Sequence, residues 1–442
     1  MTAATLEIVP LERPPGATIR VPGSKSMTNR ALVLAALASP HSECSIRGAL
    51  QSEDTELMIT ALRRLGFRVH DEWSRCPPVI WVERQQGDHA RESATPNRTP
   101  IPVNGAELFL GNSGTCMRFL TALVSLGHGR FRLDGSARMQ ERPIESLLAA
   151  LRQLGAQAVT ENESGCPPLI LEARGLGGGT VRLSGQISSQ FLSALLMVAP
   201  LAHGDVTIEI VGELVSAPYV DMTMHMVRQA GGVIDAASRS RFVIRGRQQY
   251  KCSAFDIEPD ASAASYFFAA AAITGGKITV PDLGMSSLQG DVRFVEILKE
   301  MGCTVEQRGH SLIVRGGRLR ALDVDMRDMS DCVMTLAAVA CFAEGTTKIS
   351  NVGHIRHKET DRLHALAVEL GRVGIAIRES DDGLAITGGL PRGALIQTYN
   401  DHRMAMSMSL IGLRVPGIII QDPGCVAKTY PGFFTDLEQL NL

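Results

Sequence analysis

This sequence lacks several common signals, and each absence removes a class of function. There is no cationic surplus: 44 Lys and Arg stand against 46 Asp and Glu, a formal net charge of −2. General nucleic-acid binding needs such a surplus to neutralise phosphates, so any anion site here must come from local clustering. The nine cysteines are odd in number and scattered, with no Cys-x-x-Cys. Zinc and thioredoxin-like readings fall away, and reduced, mostly buried thiols are expected. The opening residues, MTAATLEIVPLERPPG, lack the charged-then-apolar pattern of a secretory signal. The apolar stretches near 191–201, 267–273 and 336–342 are shorter than the about 20 residues that a bilayer span needs, and read as buried helices. A soluble, cytoplasmic protein without membrane or nucleic-acid partners is expected. Gly23-Ser24-Lys25-Ser26 is not a P-loop, because Ser24 separates the Gly from the Lys.

What is present is repetition. A helix ending in Gly and followed by a strand recurs as ITALRRLGFRV, LLAALRQLGAQAV, MHMVRQAGGVI, VEILKEMGCTV and ALAVELGRVGIAI. The marker glycines Gly66, Gly155, Gly231, Gly302 and Gly371 are expected at left-handed positions just past each helix, where a side chain would clash. RCPPVIWVE recurs as GCPPLILEA, and RFVIRG, SLIVRG and GLAITGG occupy equivalent places later. Six units open with a small or polar residue before an Ala/Leu-rich helix. The openings are SKSMTNRALVLAALA, NSGTCMRFLTALVSL, ISSQFLSALLMVAPL, PDASAASYFFAAAAI, MSDCVMTLAAVACFA and NDHRMAMSMSLIGL. The sixth copy is truncated, ending in KTYPGFFTDLEQL. Six units of roughly 70–90 residues suggest two similar α/β domains of three units each. One domain would hold residues 1–21 with 260–442, since that half needs both chain ends to complete its sheets. The other would hold 22–259. The stretch 84–104 is polar and aperiodic and reads as a mobile surface insertion.

The helix starts carry more than caps. Helix N-termini present unpaired N–H groups and partial positive charge, which suits anions. Lys25, Ser26 and Arg30 could hold a phosphate or carboxylate, though a capped surface helix fits the same string. Gly111-Asn112-Ser113-Gly114-Thr115 would let a ligand approach the backbone; a tight turn fits as well. Ser188-Ser189-Gln190 offers neutral donors, or simply a Ser cap. Asp331, before an apolar helix, is either a cap or a general base. Asp401-His402-Arg403 opens a buried helix, where three ionisable residues are costly unless they serve a site. In His357-Lys358-Glu359-Thr360-Asp361-Arg362, helical spacing would place Lys358 and Arg362 on one face. Lys428 sits in a short loop. Arg138 and Arg142 precede a helix expected over 143–154, with Pro143 as its first residue.

Taken together, GSKSMTNRA, LGNSGTCMRFL, RMQERP, SSQFLSALLM, DASAASYF, QGDVRF, KETDRL, YNDHRMAM and AKTYP resemble the 5-enolpyruvylshikimate-3-phosphate synthases of the enolpyruvyl transferase family. The strings run in the family's order along essentially the whole chain. The resemblance implies the family fold: two domains of three β/α units, helices buried and sheets outside, an inside-out α/β barrel. It implies transfer of the carboxyvinyl group of phosphoenolpyruvate to the 5-hydroxyl of shikimate 3-phosphate, with no metal or organic cofactor, by a monomer whose halves close on the substrates. Carried over by motif, Lys25, Ser26, Arg30, Ser188, Ser189, Gln190, Ser216, Tyr219, Asp331, His354 and Lys358 would hold shikimate 3-phosphate. Lys25, Asn112, Gly114, Thr115, Arg142, Gln190, Arg362, His402, Arg403 and Lys428 would surround phosphoenolpyruvate. Asp331 and Glu359, assisted by Lys25, would move the protons.

The sequence departs from the family pattern at two places. Phe119 stands where the family often has Pro, and His354 where it often has Asn. The sister enzymes acting on UDP-N-acetylglucosamine typically carry a reactive Cys in the loop before Arg-Pro, and residues 135–142 have none. A non-catalytic scaffold for phosphorylated ligands would not need Asp331 and Glu359 beside the cations.

Overall fold

A computed structural model describes residues 4–39, 43–83 and 100–441. Of the expected insertion over 84–104, residues 84–99 lie outside the described residues. The chain separates into two compact units, one of residues 24–257 and one of 1–23 with 258–442.

The 24–257 unit carries helices α1 (Lys25–Ala36), α2 (Glu53–Arg64), α3 (Gly114–Val124), α4 (Glu145–Gln153), α5 (Ser189–Val198) and α6 (Ala217–Gln229). The other unit carries α7 (Ala261–Thr274), α8 (Phe294–Glu300), α9 (Val333–Ala340), α10 (Arg362–Arg372), α11 (His402–Gly412) and α12 (Phe433–Glu438). In each unit the odd-numbered helices are buried on nearly all sides and pack on one another at the centre. A helix without a polar face has no stable place except a core. α7 is buried from Ala261 to Ile273. Its alanines permit close packing, while Phe267 and Phe268 each contribute roughly 1.5–3 kcal/mol by burial. The even-numbered α2, α4 and α10 are instead amphipathic, polar on one side.

Six open sheets flank these helices, and among the described residues none closes into a barrel. One pattern repeats. In the second sheet Gly105–Phe109 runs parallel to His128–Asp134, which pairs antiparallel with Leu169–Arg174, and Gln157–Thr160 forms the far edge. The strand face turned to the helices is apolar at alternate positions, as in Phe131 opposite Leu171 and Leu133 opposite Leu169. The chain ends complete two sheets. Gly16–Thr18 lies parallel to Lys277–Val280. Thr5–Ile8 pairs antiparallel with Ile418–Gln421, in the place that each other sheet fills from its own sequence repeat.

Caps explain the helix boundaries. Ser24, Ser52, Ser113, Ser188, Asp260, Asp361 and Asp401 each accept a backbone N–H in the first turn. Gly66, Gly155, Gly231 and Gly302 have φ of +87°, +94°, +85° and +113°, the left-handed stops expected. The fifth marker is corrected. Gly371 lies inside α10, and the left-handed stop is Gly374 at φ +86°. The helix runs on because Leu370 and Val373 continue its buried face. A second correction concerns Pro143, which precedes α4 rather than opening it. Its carbonyl accepts from Arg118 Nη2 at 2.8 Å.

Cys44 and Cys252 stand next to each other, with Cα atoms 6.0 Å apart. Parallel pairing of Ala254–Asp256 with Glu43–Arg47 brings these sequence-distant residues side by side. The other seven cysteines are free. No helix of the described residues is long and apolar enough to cross a membrane.

Candidate active site

Each unit gathers its own cluster at the starts of its central helices. In the 24–257 unit, Ser24 caps α1 and thereby places Lys25 in the first turn. Lys25 Nζ lies 3.4 Å from Asp54 Oδ2, and both side chains are largely buried. Asn112, Gly114 and Arg142 come together at the start of α3. Arg142 Nη1 donates to the Asn112 carbonyl at 3.0 Å and to its side-chain oxygen at 3.1 Å. A Cβ on Gly114 would collide with the Arg142 guanidinium, so the glycine is a steric requirement for this arginine pose. Thr115 follows, buried in the first turn of α3. Arg118, one turn further along, braces the loop that carries Arg142 through the Pro143 carbonyl.

Arg30 is deeply committed to its own unit. It donates to Thr223 Oγ1 (2.7 Å), the Ser26 carbonyl (2.9 Å), Ser193 Oγ (3.2 Å) and the Tyr219 carbonyl (3.2 Å). Its guanidinium also lies over the Phe119 ring, 5.1 Å from the centroid. Burial lowers its pKa to about 10, against the opposing influence of Tyr219. Ser26 and Tyr219 are thus joined to Arg30. Ser188 caps α5 through the Gln190 N–H at 3.2 Å, with Ser189 buried beside it. Ser216 starts the neighbouring α6 in a left-handed conformation, φ 53°, without using its hydroxyl as a cap.

In the other unit, the centre is Arg362. Its Nε donates to Asp401 Oδ2 at 2.8 Å, Nη2 to Glu359 Oε2 at 2.9 Å and Nη1 to Asp331 Oδ1 at 3.3 Å. Asp331 also receives Arg403 Nη2 at 2.7 Å and faces Lys358 Nζ at 3.6 Å. Three carboxylates therefore face three cations. Arg362 is 1% exposed and Asp401 0%. Burial works against the Arg362 charge, but Asp401, Glu359 and Asp331 outweigh it and push its pKa up.

Two local expectations change here. Lys358 and Arg362 do not share a helical face. Lys358 follows the short 3-10 helix Gly353–His357 and α10 begins only at Arg362, yet both reach Asp331 Oδ1. Asp331 is not an N-cap; the residue before α9 is Cys332, which makes no side-chain cap. His354 lies at the same place, its pKa lowered to about 3 by burial and then by Lys358. His402 is fully buried, Nδ1 3.7 Å from Asp401 Oδ1. Lys428 is buried on the 3-10 turn Pro423–Lys428, which packs on α11.

Three residues, Asp54, Tyr266 and Asp291, join these clusters without having been singled out from sequence, and Asp401 joins them as its place before a buried helix led one to expect. Asp54 partners Lys25. Asp401 clamps Arg362 and accepts the Arg403 N–H at 2.9 Å. Tyr266 Oη receives Arg403 Nη1 at 3.2 Å. Asp291, in the string QGDVRF, is buried and bonded by the Ser262 hydroxyl. Burial, then the Asp331 charge, pushes its pKa up to about 6.

Known proteins resemble this chain along nearly its whole length. A family profile described as EPSP synthase (3-phosphoshikimate 1-carboxyvinyltransferase) matches residues 13–437. The chain belongs to the EPSP synthase family. It is 44% identical over 434 residues to the 3-phosphoshikimate 1-carboxyvinyltransferase of Trichormus variabilis, covering 98% of each chain. It is 45% identical over 427 residues to the protein of the same name from a Sulfurovum species, covering 96% of each. Among solved structures, an EPSP synthase from Acinetobacter baumannii superposes with a TM-score of 0.79 at 26% identity, covering 99% of this chain and 98% of that one. The enolpyruvyl transferase NikO of Streptomyces tendae superposes at 0.75 and 19% identity over 99% and 98%, a likeness of fold alone.

Proposed function

We propose that this chain transfers the carboxyvinyl group of phosphoenolpyruvate to the 5-hydroxyl of shikimate 3-phosphate, releasing phosphate (EC 2.5.1.19), in the shikimate pathway to chorismate and aromatic amino acids. The chemistry is an addition followed by an elimination. The 5-hydroxyl oxygen bonds to C2 of phosphoenolpyruvate and gives up its proton, while C3 gains one and becomes a methyl group. The tetrahedral intermediate then loses a proton from that methyl, and the C2–O bond to phosphate breaks. One acid–base group must serve the oxygen and one the carbon.

Asp331 and Glu359 fill these two roles, with Lys25 assisting. The observation that carries the reading is the cluster in which both carboxylates share Arg362, with Arg403 and Lys358 on Asp331. The acids are held beside the cations that a phosphate and a carboxylate require. An arriving anion competes with Asp331 for Arg403 and Lys358, and a carboxylate relieved of its partners is a better base. Arg362, Arg403, Lys428, His402, Arg142, Asn112, Gly114, Thr115, Gln190 and Lys25 take phosphoenolpyruvate. Ser26, Arg30, Ser188, Ser189, Gln190, Ser216, Tyr219, His354, Lys358, Lys25 and Asp331 take shikimate 3-phosphate. The 24–257 unit thereby serves mainly the shikimate ligand, and the other the phosphoenolpyruvate chemistry. Side chains alone supply every charge in this scheme, so it needs no cofactor. The enzyme works as a monomer in the cytoplasm.

A phosphate-release assay with phosphoenolpyruvate tests the reading. Phosphate should appear with shikimate 3-phosphate and not with UDP-N-acetylglucosamine as acceptor. Release with the nucleotide sugar alone, or with neither acceptor, would overturn it.

A further inference from the structure

Glu369 is a fully buried carboxylate on α10, seven residues after Arg362. A position facing a core ordinarily carries an apolar side chain, and a buried carboxylate persists only with donors around it. Its donors come from two places. From the end of its own helix, Arg372 Nε donates at 3.0 Å and Nη2 at 3.4 Å. From the segment before α11, the Gln397 N–H donates at 3.2 Å and the Tyr399 hydroxyl at 2.8 Å.

That second segment is strained. Tyr399 and Asn400 have φ of 55° and 52°, two successive non-glycine residues in the left-handed region. Such conformations persist only where the surroundings over-determine them, and they concentrate at functional sites. The residue that the strained pair delivers is Asp401. Its N–H donates to the Thr398 carbonyl at 2.9 Å, closing the turn. Its carboxylate then receives Arg362 Nε at 2.8 Å, Arg362 Nη2 at 3.3 Å and the Arg403 N–H at 2.9 Å. The contacts form a closed ring. It runs from Arg362 along α10 to Glu369, across to Gln397 and Tyr399, through Asn400 to Asp401, and back to the Arg362 guanidinium.

We propose that Glu369 is a positioning residue for phosphoenolpyruvate binding: by pinning the left-handed Tyr399–Asn400 turn to α10 it fixes Asp401, and through Asp401 the guanidinium of Arg362. Glu369 touches no substrate. The inference rests on the reading of Arg362 as a phosphoenolpyruvate ligand.

Steady-state kinetics on the full-length enzyme test it. Glu369→Gln keeps the shape but turns an amide NH2 towards donors, so the turn loses one anchor. KM for phosphoenolpyruvate should rise about tenfold while KM for shikimate 3-phosphate stays within about twofold. Tyr399→Phe removes a single donor from a half-exposed residue and should shift the same constant about threefold. It keeps the test available if Glu369→Gln does not fold. A purely structural role lowers the active fraction, so that kcat falls with both KM values unchanged. That result, or an unchanged phosphoenolpyruvate KM in folded variants, overturns the proposal. Arg362→Lys is the control. If it raises the phosphoenolpyruvate KM while Glu369→Gln does not, Glu369 alone is misread. If it leaves that KM unchanged, the assignment of Arg362 fails and the proposal with it.

Discussion

The Arg362 cluster makes an unequal claim on stability from its two best-buried members. Replacing Arg362 by Met leaves Asp331, Glu359 and Asp401 facing two cations instead of three. Asp331 retains Arg403 and Lys358, but Asp401 loses both of its guanidinium bonds while fully buried. Removing one partner from a buried ion pair costs about 3–5 kcal/mol, because the remaining charge is stranded. Arg362→Met is expected near the middle of that range, about 4 kcal/mol. Asp401→Asn is milder. The amide oxygen can still accept the Arg403 N–H, and Arg362 keeps Glu359 and Asp331. Its cost should be about 1–2 kcal/mol. The double variant should cost less than the sum by about 1 kcal/mol or more, since the two share one interaction. Urea unfolding followed by far-UV ellipticity measures all three. Both tryptophans, Trp73 and Trp81, belong to the 24–257 unit and give a separate fluorescence signal for it. An Arg362→Met cost below about 1 kcal/mol, or equal costs for the two single variants, would refute the hub assignment.

Three further outcomes follow from named groups. Asp331→Asn and Glu359→Gln should each lower kcat by about 10²–10⁴ in phosphate release, with unchanged ellipticity, because each removes a proton carrier; near-normal turnover in folded Asp331→Asn would end its assigned role. His354, which senses Lys358, Asp331, Arg327 and His357, has its pKa lowered from 6.5 to about 3 in the fold. The stability this contributes is present above pH 6.5 and lost as pH falls towards 3. The wild type should therefore lose about 2 kcal/mol from this group by pH 5, and His354→Asn should not; parallel urea midpoints at acidic and neutral pH decide it. Asp291 is the opposite case, raised from 3.8 to about 6. Its contribution is present below pH 3.8 and lost as pH rises through 6, so Asp291→Asn should gain on the order of 2 kcal/mol over wild type at pH 8. Equal stability of the two proteins at pH 8 would contradict the burial of a charged Asp291.

The repeat architecture was legible because it rests on local chemistry: caps, apolar faces and left-handed glycines. The corrected marker at Gly371 shows the limit. ELGRVG holds two glycines three residues apart, and only the packing of Leu370 and Val373 shows that the helix passes the first and stops at the second. The clusters were legible residue by residue but not as partnerships. Asp331 and Arg403 stand 72 positions apart, and their 2.7 Å contact exists only because α9 and α11 pack together. Asp54 escaped notice because Glu53, Asp54 and Glu56 look like the acidic first turn that any helix favours. Glu369 was hidden in the same way, as one more charged residue on an amphipathic helix. Its local partner Arg372 looks like an ordinary surface pair three residues apart, and its other donors belong to a turn 28–30 residues on.

The three acids of the Arg362 cluster differ in how far each is committed. Asp401 is fully buried, and its oxygens accept a guanidinium and the Arg403 N–H that starts α11. Releasing it would unmake a helix start as well as an ion pair, so it can only be scaffold. Glu359 is 8% exposed and tied to Arg362 Nη2 at 2.9 Å. Asp331 is the most open at 16%, and of its three cations Arg403 is held also by Tyr266 Oη. A carboxylate in that position can exchange its partners for a proton without disturbing the helix that follows it. The gradient in commitment runs from Asp401, the most fixed, to Asp331, the acid that we propose exchanges protons. Arg362 bonds to all three, and it holds Asp331 by a single 3.3 Å contact, against contacts of 2.8 Å to Asp401 and 2.9 Å to Glu359.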